Sequence, residues 1–165
     1  FIRIGKCCHP LPGEPIIGYI TRGRGVTVHH IDCPSVGTII NDPERFLGVE
    51  WDTGTNIIYQ AHIAIVASDK PGIMATISQA FAECGINITR ANVQQGSNKR
   101  AYFDLSIEIQ DVEHLNQILE KIRQVDGVIY LERIKDFNKN SPIKNRLEAL
   151  GEKLGTQGER ELSTT

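Results

Sequence analysis

The chain has 165 residues and a net charge of −2, with 40% hydrophobic and 23% charged residues, which is ordinary for a globular protein and excludes a polycation. No apolar run approaches the roughly 18 residues needed to cross a membrane, and four cysteines are too few for a disulfide scaffold. We therefore expect a cytoplasmic protein without membrane contact, and a start at Phe1 rather than Met is typical of a fragment.

The stretch from Cys7 to Cys33 concentrates metal-binding residue types, with three of the four cysteines and three of the five histidines. Three thiols and one imidazole are enough to bind one tetrahedral zinc ion. His29 and Cys33 are four residues apart and would share one face if a turn of helix began there. The candidate ligands are Cys7, Cys8, His29 and Cys33.

A metal-free alternative stays open for this stretch. Adjacent cysteines such as Cys7 and Cys8 point in diverging directions, so both can reach one ion only from a strained backbone. Free cysteines are also common as small buried hydrophobes, which would account for Cys8 and Cys33 without a metal. His9 is a spare ligand that can replace Cys7 or Cys8.

A β-hairpin is predicted within the same stretch. The patterns of residues 16–21 and 26–29 indicate strands, and the glycines of the intervening turn permit a tight reversal. Arg22 and Arg24 would project from the tip, either as a solvated loop or as a contact for phosphate. Residues 1–31 carry four basic side chains against one acidic, a balance of +3, so we expect nucleic-acid contact there and include Lys6 in it.

The first module is predicted to span residues 1–56. Asp32 is expected to cap a short helix that runs to about Asn41, and residues 46–51 are expected to form a further strand. A unit of about 55 residues with so small a core is marginal alone. A metal ion or docking against a neighbouring domain would stabilise it.

Residues 57–136 show a clear alternation of strands and helices that predicts a second module. The element order βαββαβ indicates a ferredoxin-like domain of the α+β class, with both helices on one face of an antiparallel sheet. The predicted strands are 57–67, 86–94, 101–109 and 128–134, and the predicted helices are 73–84 and 112–125.

The periodicity of these elements also assigns side chains to faces. Met74 shares the apolar repeat of the first helix, whereas Asp104 and Glu108 should form an outer acidic face that points away from RNA. His62 and His114 are expected on the surface. The predicted core consists of Ile77, Phe81, Leu105, Ile107, Leu115, Leu119 and Ile122.

Residues 137–165 are a polar tail of mixed charge. A short helix is predicted over residues 143–154, with disorder beyond it. We assign this tail no function.

The stretch from Cys7 to Cys33 resembles the cysteine-rich, zinc-finger-like module of the long RelA/SpoT proteins, the stringent-response enzymes that make and hydrolyse (p)ppGpp. In that family the module lies near the C-terminus and an ACT domain follows it. The resemblance implies a regulatory region that contacts ribosomal RNA and uncharged tRNA and controls distant catalytic domains. It covers the paired cysteines, Pro12-Gly13-Glu14, Gly18-Tyr19-Ile20-Thr21, Gly23-Arg24-Gly25, Val28-His29 and Cys33-Pro34.

The second module in turn resembles an ACT domain, a small regulatory module that often binds amino acids and often dimerises. The signature is Asp69-Lys70-Pro71-Gly72 before an apolar helix, and Asn87 after Gly85-Ile86 also fits. The resemblance implies a homodimer and an amino-acid site at Asp69, Gly72 and Asn87. Backbone N–H groups at Gly72 would receive the carboxylate, and Asn87 would lie near the amine. The alternative is a turn that binds nothing.

Two other functions compete with this interpretation. RNA-recognition domains also have the order βαββαβ, and residues 99–103 faintly resemble their aromatic motif, although Phe103 should face the helices. An amino-acid-sensing ACT tail of a metabolic enzyme is the other alternative, and the cysteine module argues against it. The sequence has neither a glycine-rich phosphate loop nor a His-Asp pair at enzyme-like spacing, so we expect no catalytic residues.

Overall fold

The computed structural model describes residues 1–135, so the predictions for the tail lie outside the described residues. The described part of the chain folds into two four-stranded sheets that follow one another in sequence. The elements of the first are β1 (Ile2–Ile4), β2 (Ile16–Thr21), β3 (Gly25–His30), α1 (Pro34–Ile39) and β4 (Phe46–Leu47).

The first sheet has the strand order β1-β3-β2-β4. The predicted hairpin is confirmed: β2 and β3 are antiparallel, and Thr21 pairs with Gly25. Gly23 and Gly25 both have positive φ, 71° and 80°, a backbone conformation that glycine adopts without steric cost. β1 pairs with β3 on the side opposite β2 and runs parallel to it. Ile4, at the C-terminal end of β1, therefore lies beside Val28 near the C-terminal end of β3.

Three local predictions for the first module are wrong. The helix begins after Cys33 rather than Asp32 and ends at Ile39, and the last strand stops at Leu47 instead of Trp51. The chain leaves the sheet because Trp51 has partners elsewhere. Its indole N–H donates to the Glu14 carbonyl at 2.9 Å, and its ring meets that of Tyr59 edge-on at 5.5 Å.

The second module has the predicted βαββαβ order, and its ferredoxin-like α+β fold is confirmed. All neighbouring strands are antiparallel, in the order β6-β7-β5-β8. Positive φ at Gly72 and Gly85 marks the two ends of the first helix. The elements are β5 (Tyr59–Ser68), α2 (Ile73–Glu83), β6 (Ile88–Gln95), β7 (Arg100–Ile109), α3 (Val112–Arg123) and β8 (Val128–Arg133).

All seven predicted core residues are buried in one cluster, between the helices and one face of the sheet. Met74 does not join them and is 53% exposed, because it follows the buried Ile73 by about 100° around the helix. Phe103 is buried in this cluster, so its ring cannot stack on a nucleotide base.

The opposite face of the second sheet is not the exposed acidic surface that the alternation predicted. Asp104 is buried, and its carboxylate pairs with the Arg90 guanidinium at 3.1 Å. His62 is half-buried instead of lying on the surface, and its Nδ1 lies 2.9 Å from the Ser106 hydroxyl. A second apolar cluster lies on this face and consists of Ala64, Val66, Tyr102 and Ile134.

Residues 9–14 of the first module pack against the second module, and we call them the docking loop. Leu11 of this loop is 0% exposed and belongs to the core cluster of the second module. The Pro12 carbonyl accepts a 2.9 Å hydrogen bond from the Val112 N–H at the start of α3. The first module therefore contributes a side chain to the core of the second.

His9 and His62 meet where the docking loop crosses the sheet, with ring centroids 5.2 Å apart. Burial, followed by the charges of His9 and Arg90, lowers the pKa of His62 to about 4. His62 is therefore neutral in the folded protein at pH values where an exposed histidine begins to take up a proton.

We predict that Leu11→Ala destabilises the second module, although Leu11 lies outside it in sequence. Truncation of a fully buried leucine costs about 2–5 kcal/mol of unfolding free energy. Denaturant unfolding followed by circular dichroism measures the loss. Met74→Ala is the matched control, since an exposed substitution changes stability by about 0.5 kcal/mol or less. Equal stability of the two variants would contradict the docking of Leu11.

We also predict that the protein loses stability as the pH falls from 7 to 5. The folded pKa of His62, about 4, lies below the ordinary value of 6.5, so the unfolded chain binds the proton first. This difference removes roughly 2 kcal/mol by pH 5. Burial also lowers the pKa values of His9 and His29, which adds to the loss in the same pH range. Glu14, whose pKa is lowered too, adds to the loss only at more acidic pH. A His62→Gln variant should show a distinctly smaller loss in unfolding titrations at the two pH values.

Candidate metal centre

Cys7 and Cys8 lie in a single helical turn that follows β1. The His9 N–H donates to the Gly5 carbonyl at 2.9 Å, which closes the turn. Successive side chains on a helical turn differ by about 100°, yet the sulfurs of Cys7 and Cys8 lie only 4.0 Å apart. The unusual backbone lies one residue later, at His9, where φ is +42°.

The other two candidate ligands come from different elements rather than from one helix face. His29 lies near the end of β3, and Cys33 precedes α1. Nδ1 of His29 lies 3.1 Å from the Cys7 sulfur and 3.7 Å from the Cys8 sulfur, and the Cys7 and Cys33 sulfurs are 3.5 Å apart. The ligand atoms of all four residues lie within 4.8 Å of one another.

These separations fit a single metal ion. A tetrahedral ion with sulfur at 2.3 Å and nitrogen near 2.05 Å would hold its ligand atoms about 3.6–3.8 Å apart. Four of the six distances between ligand atoms, 3.1–4.0 Å, lie around that value, and all six are within 4.8 Å. Gly5 allows this approach, since a Cβ there would lie 2.7 Å from Nδ1 of His29. The site can hold a metal ion.

Burial sets the protonation of these groups. It lowers the pKa of His29, which favours the neutral imidazole that binds metals, and it raises the pKa of the Cys7 and Cys8 thiols. Burial also raises the pKa of Cys33, but hydrogen bonds, foremost from the Ser35 backbone, bring it below its ordinary value. All four cysteines of the chain are free, with no disulfide.

The two spare histidines have other contacts. His9 packs against His62 at the module boundary, so it does not replace a cysteine in the cluster. Nδ1 of His30 accepts a 3.1 Å hydrogen bond from the Asp32 N–H. The His30 N–H itself donates to the Cys8 sulfur at 3.3 Å, a contact that orients this ligand from outside the cluster.

The three predicted RNA contacts do not form one patch. Arg22 and Arg24 are exposed in the turn between β2 and β3. Lys6 is also exposed, but it follows β1, which runs parallel to β3. It therefore lies at the other end of the sheet, roughly 15 Å from Arg24 along the strand direction.

The residues predicted to bind an amino acid also lie apart within one chain. Gly72 precedes α2, and Asn87 follows its other end, so about 16 Å of helix separates them. Asp69 accepts a 2.7 Å hydrogen bond from the Gln95 amide, and the Asn87 amide donates to Glu108 at 3.1 Å. The structure does not bring the three residues together.

Sequence reasoning missed the residues that fix the docking loop. The Glu14 carboxylate forms a buried ion pair with Arg133 of β8, and its Oε2 also accepts the Leu11 N–H at 2.8 Å. Glu14 entered the sequence analysis only as the one acidic residue of positions 1–31 and as part of the Pro12-Gly13-Glu14 motif. An acidic residue beside a Pro-Gly turn gives no signal for a partner in the last strand of another module.

Comparison with known proteins matches both modules. The family model of the RelA/SpoT RIS domain matches residues 1–52, and that of the ACT domain matches residues 55–133. Among the residues that the structure describes, no helix is long and apolar enough to cross a membrane.

Curated relatives extend over most of the chain. A GTP pyrophosphokinase from Myxococcus xanthus is 38% identical over 133 residues, covering 81% of this chain and 17% of the relative. The bifunctional (p)ppGpp synthase/hydrolase RelA of Mycobacterium tuberculosis is 31% identical over 132 residues, covering 80% of this chain and 18% of the relative. The chain thus spans only about a sixth of the length of such relatives.

A solved structure gives a further match. The crystal structure of the ACT domain from the GTP pyrophosphokinase of Chlorobium tepidum is 26% identical, with a TM-score of 0.43, and covers 47% of this chain and 100% of that one. The two domain matches and the curated relatives together show that the chain belongs to the RelA/SpoT family and corresponds to its C-terminal regulatory region, a RIS domain followed by an ACT domain.

Proposed function

We propose that this chain is the region through which a (p)ppGpp synthetase/hydrolase responds to the ribosome and to uncharged tRNA. The observation that carries the proposal is the continuous match of both domains to enzymes with these activities. The chain covers about a sixth of such enzymes, so the catalytic domains would lie in the remainder of the parent protein. Its role would be to control those catalytic domains in the cytoplasm, in response to the state of translation.

The metal that we assign to the cysteine cluster is zinc, in a structural role. Three thiolates and one imidazole are a ligand set that zinc favours. Four protein ligands would complete a tetrahedral shell, leaving no position for a substrate or for an activated water. Such an ion would supply folding energy to the RIS domain, whose buried apolar residues are few.

The RNA contact that we propose is the tip of the β2–β3 hairpin. Arg22 and Arg24 are exposed there, and among residues 1–135 no carboxylate pairs with either guanidinium. The guanidinium fork suits phosphate and can stack on unpaired bases. The open space around Gly23, where an added Cβ would meet no atom within 4 Å, leaves the tip accessible to a large partner.

Two further proposals concern the ACT domain. An amino acid that uses both Gly72 and Asn87 requires a second copy of the domain, because one copy holds them at opposite ends of α2. Ligand binding is therefore proposed only together with a homodimer.

The RNA-recognition alternative has no support from Phe103, which is buried. The RIS domain match argues against the tail of a metabolic enzyme.

We predict about one zinc ion per chain in protein purified without chelators, and its loss in Cys33→Ser. Cys84→Ser is the matched control, because Cys84 is a free cysteine outside the cluster. Elemental analysis measures the metal, and the fluorescence of Trp51, the single tryptophan, reports loosening of the RIS domain after chelation. Equal zinc contents in the two variants would contradict the site.

We predict that replacing Arg22 and Arg24 together with alanine weakens ribosome binding without unfolding the chain. If each guanidinium contacts one phosphate, the slope of log affinity against log salt concentration should fall by about 2. Sedimentation with purified ribosomes across a salt series measures both quantities.

The control for this prediction removes the same charge elsewhere. Lys121 and Arg123 lie in the last turn of α3, within the ACT domain. Their double alanine variant should bind ribosomes with the same salt slope as the unaltered chain. If the hairpin variant is folded and keeps both its affinity and its slope, the tip is not the contact.

A further inference from the structure

One side chain of the ACT domain holds the docking loop, which directly follows two of the candidate metal ligands, Cys7 and Cys8. Arg133, in β8, places one guanidinium nitrogen 2.9 Å from the His9 carbonyl and 3.2 Å from Oε2 of Glu14. Its other terminal nitrogen contacts Oε1 of Glu14. The two ends of the docking loop, residues 9 and 14, are thus fixed by the same guanidinium.

Burial and further hydrogen bonds restrain the ion pair between Arg133 and Glu14. The side chains of Arg133 and Glu14 are only 10% and 8% exposed. The Leu11 N–H donates to the same carboxylate, and the Trp51 indole donates to the Glu14 carbonyl. The planar fork of arginine reaches two acceptors in one fixed geometry, which a lysine cannot reproduce.

The held carbonyl belongs to the residue with the unusual backbone. His9 has φ of +42° and directly follows Cys8, and its N–H closes the turn that carries both cysteine ligands. A positive φ at a residue with a side chain persists only where the surroundings hold it. The bond from Arg133 is such a restraint, and it acts one residue from the metal ligand.

We propose that Arg133 is a positioning residue for the metal centre, so that the ACT domain sets the metal affinity of the RIS domain. Arg133 touches no ligand atom and acts through the His9 carbonyl and the docking loop. By linkage, metal binding then stabilises the contact between the docking loop and the ACT domain. This inference rests on the proposed metal centre.

The experiment measures metal affinity in the full chain with Co²⁺ as the probe and Zn²⁺ as the competitor. Tetrahedral Co²⁺ bound to thiolates absorbs visible light, so the spectrum reports the ligand geometry as well as the affinity. Removing a group that hydrogen-bonds a metal ligand weakens binding on the order of 10–100-fold. Arg133 acts one residue further from the ligand, so we expect a loss at the lower end, about 10-fold, for Arg133→Ala. Arg133→Lys should restore only part of the affinity. Arg123→Ala, an exposed arginine of α3, should bind as the unaltered chain does.

A second readout tests the reciprocal effect. The Val112 N–H donates to the Pro12 carbonyl across the module boundary, and the Thr76 N–H donates to Gly72 at the start of α2. Adding Zn²⁺ to the unaltered chain should slow hydrogen exchange at Val112 more than at Thr76. In Arg133→Ala this difference should shrink, and protection at Thr76 shows that the variant is folded.

The outcomes separate this inference from the proposal beneath it. If the unaltered chain binds no Co²⁺, the metal centre falls and the inference falls with it. If the unaltered chain binds but folded Arg133→Ala binds equally well, only the inference is overturned. Should Arg133→Ala fail to fold, the double variant Glu14→Gln with Arg133→Met decides, since it removes both buried charges together and with them the bond to the His9 carbonyl. Unchanged metal affinity in that variant overturns the inference.

Discussion

The architecture of this region depends on the buried ion pair between Glu14 and Arg133. An ion pair of this kind adds little net stability, since removing two charges from water offsets most of their attraction. Its contribution is geometric. An arrangement of the modules that kept one of these two charges buried without the other would be disfavoured. Leu11 supplies the apolar part of the same contact. Together they give the RIS domain one position against the ACT domain.

This contact matters because the RIS domain has a small core of its own. Its buried apolar side chains include two of the proposed metal ligands, Cys8 and Cys33, alongside Tyr19 and Val28. A domain of about 50 residues buries so little apolar surface that it is only marginally stable alone. The proposed metal centre and the docking loop would therefore replace the missing core, and these two supports would meet at Cys8 and His9.

Much of the fold was predictable because its signals are local. Alternation along β7 and the helical repeat of α3 predict the elements of the second module. The ligand chemistry of cysteine and histidine was enough to predict that Cys7 and His29 lie in one cluster. Contacts between distant residues were not predictable: Glu14 and Arg133 are 119 positions apart, and no periodicity connects them. A period of two also assigns Asp104 to a face without saying what covers that face. The position of Lys6 depends on the parallel pairing of β1, which the sequence does not indicate.

The shared core limits how this region can transmit a signal. Separating the two modules would expose Leu11, at a cost of about 2 kcal/mol, and would also break the ion pair between Glu14 and Arg133. Rigid movement of the two domains together requires neither loss. We therefore expect a partner bound at the hairpin tip to displace the RIS and ACT domains as one body. Control of distant catalytic domains would then depend on where this whole body lies, rather than on a rearrangement within it.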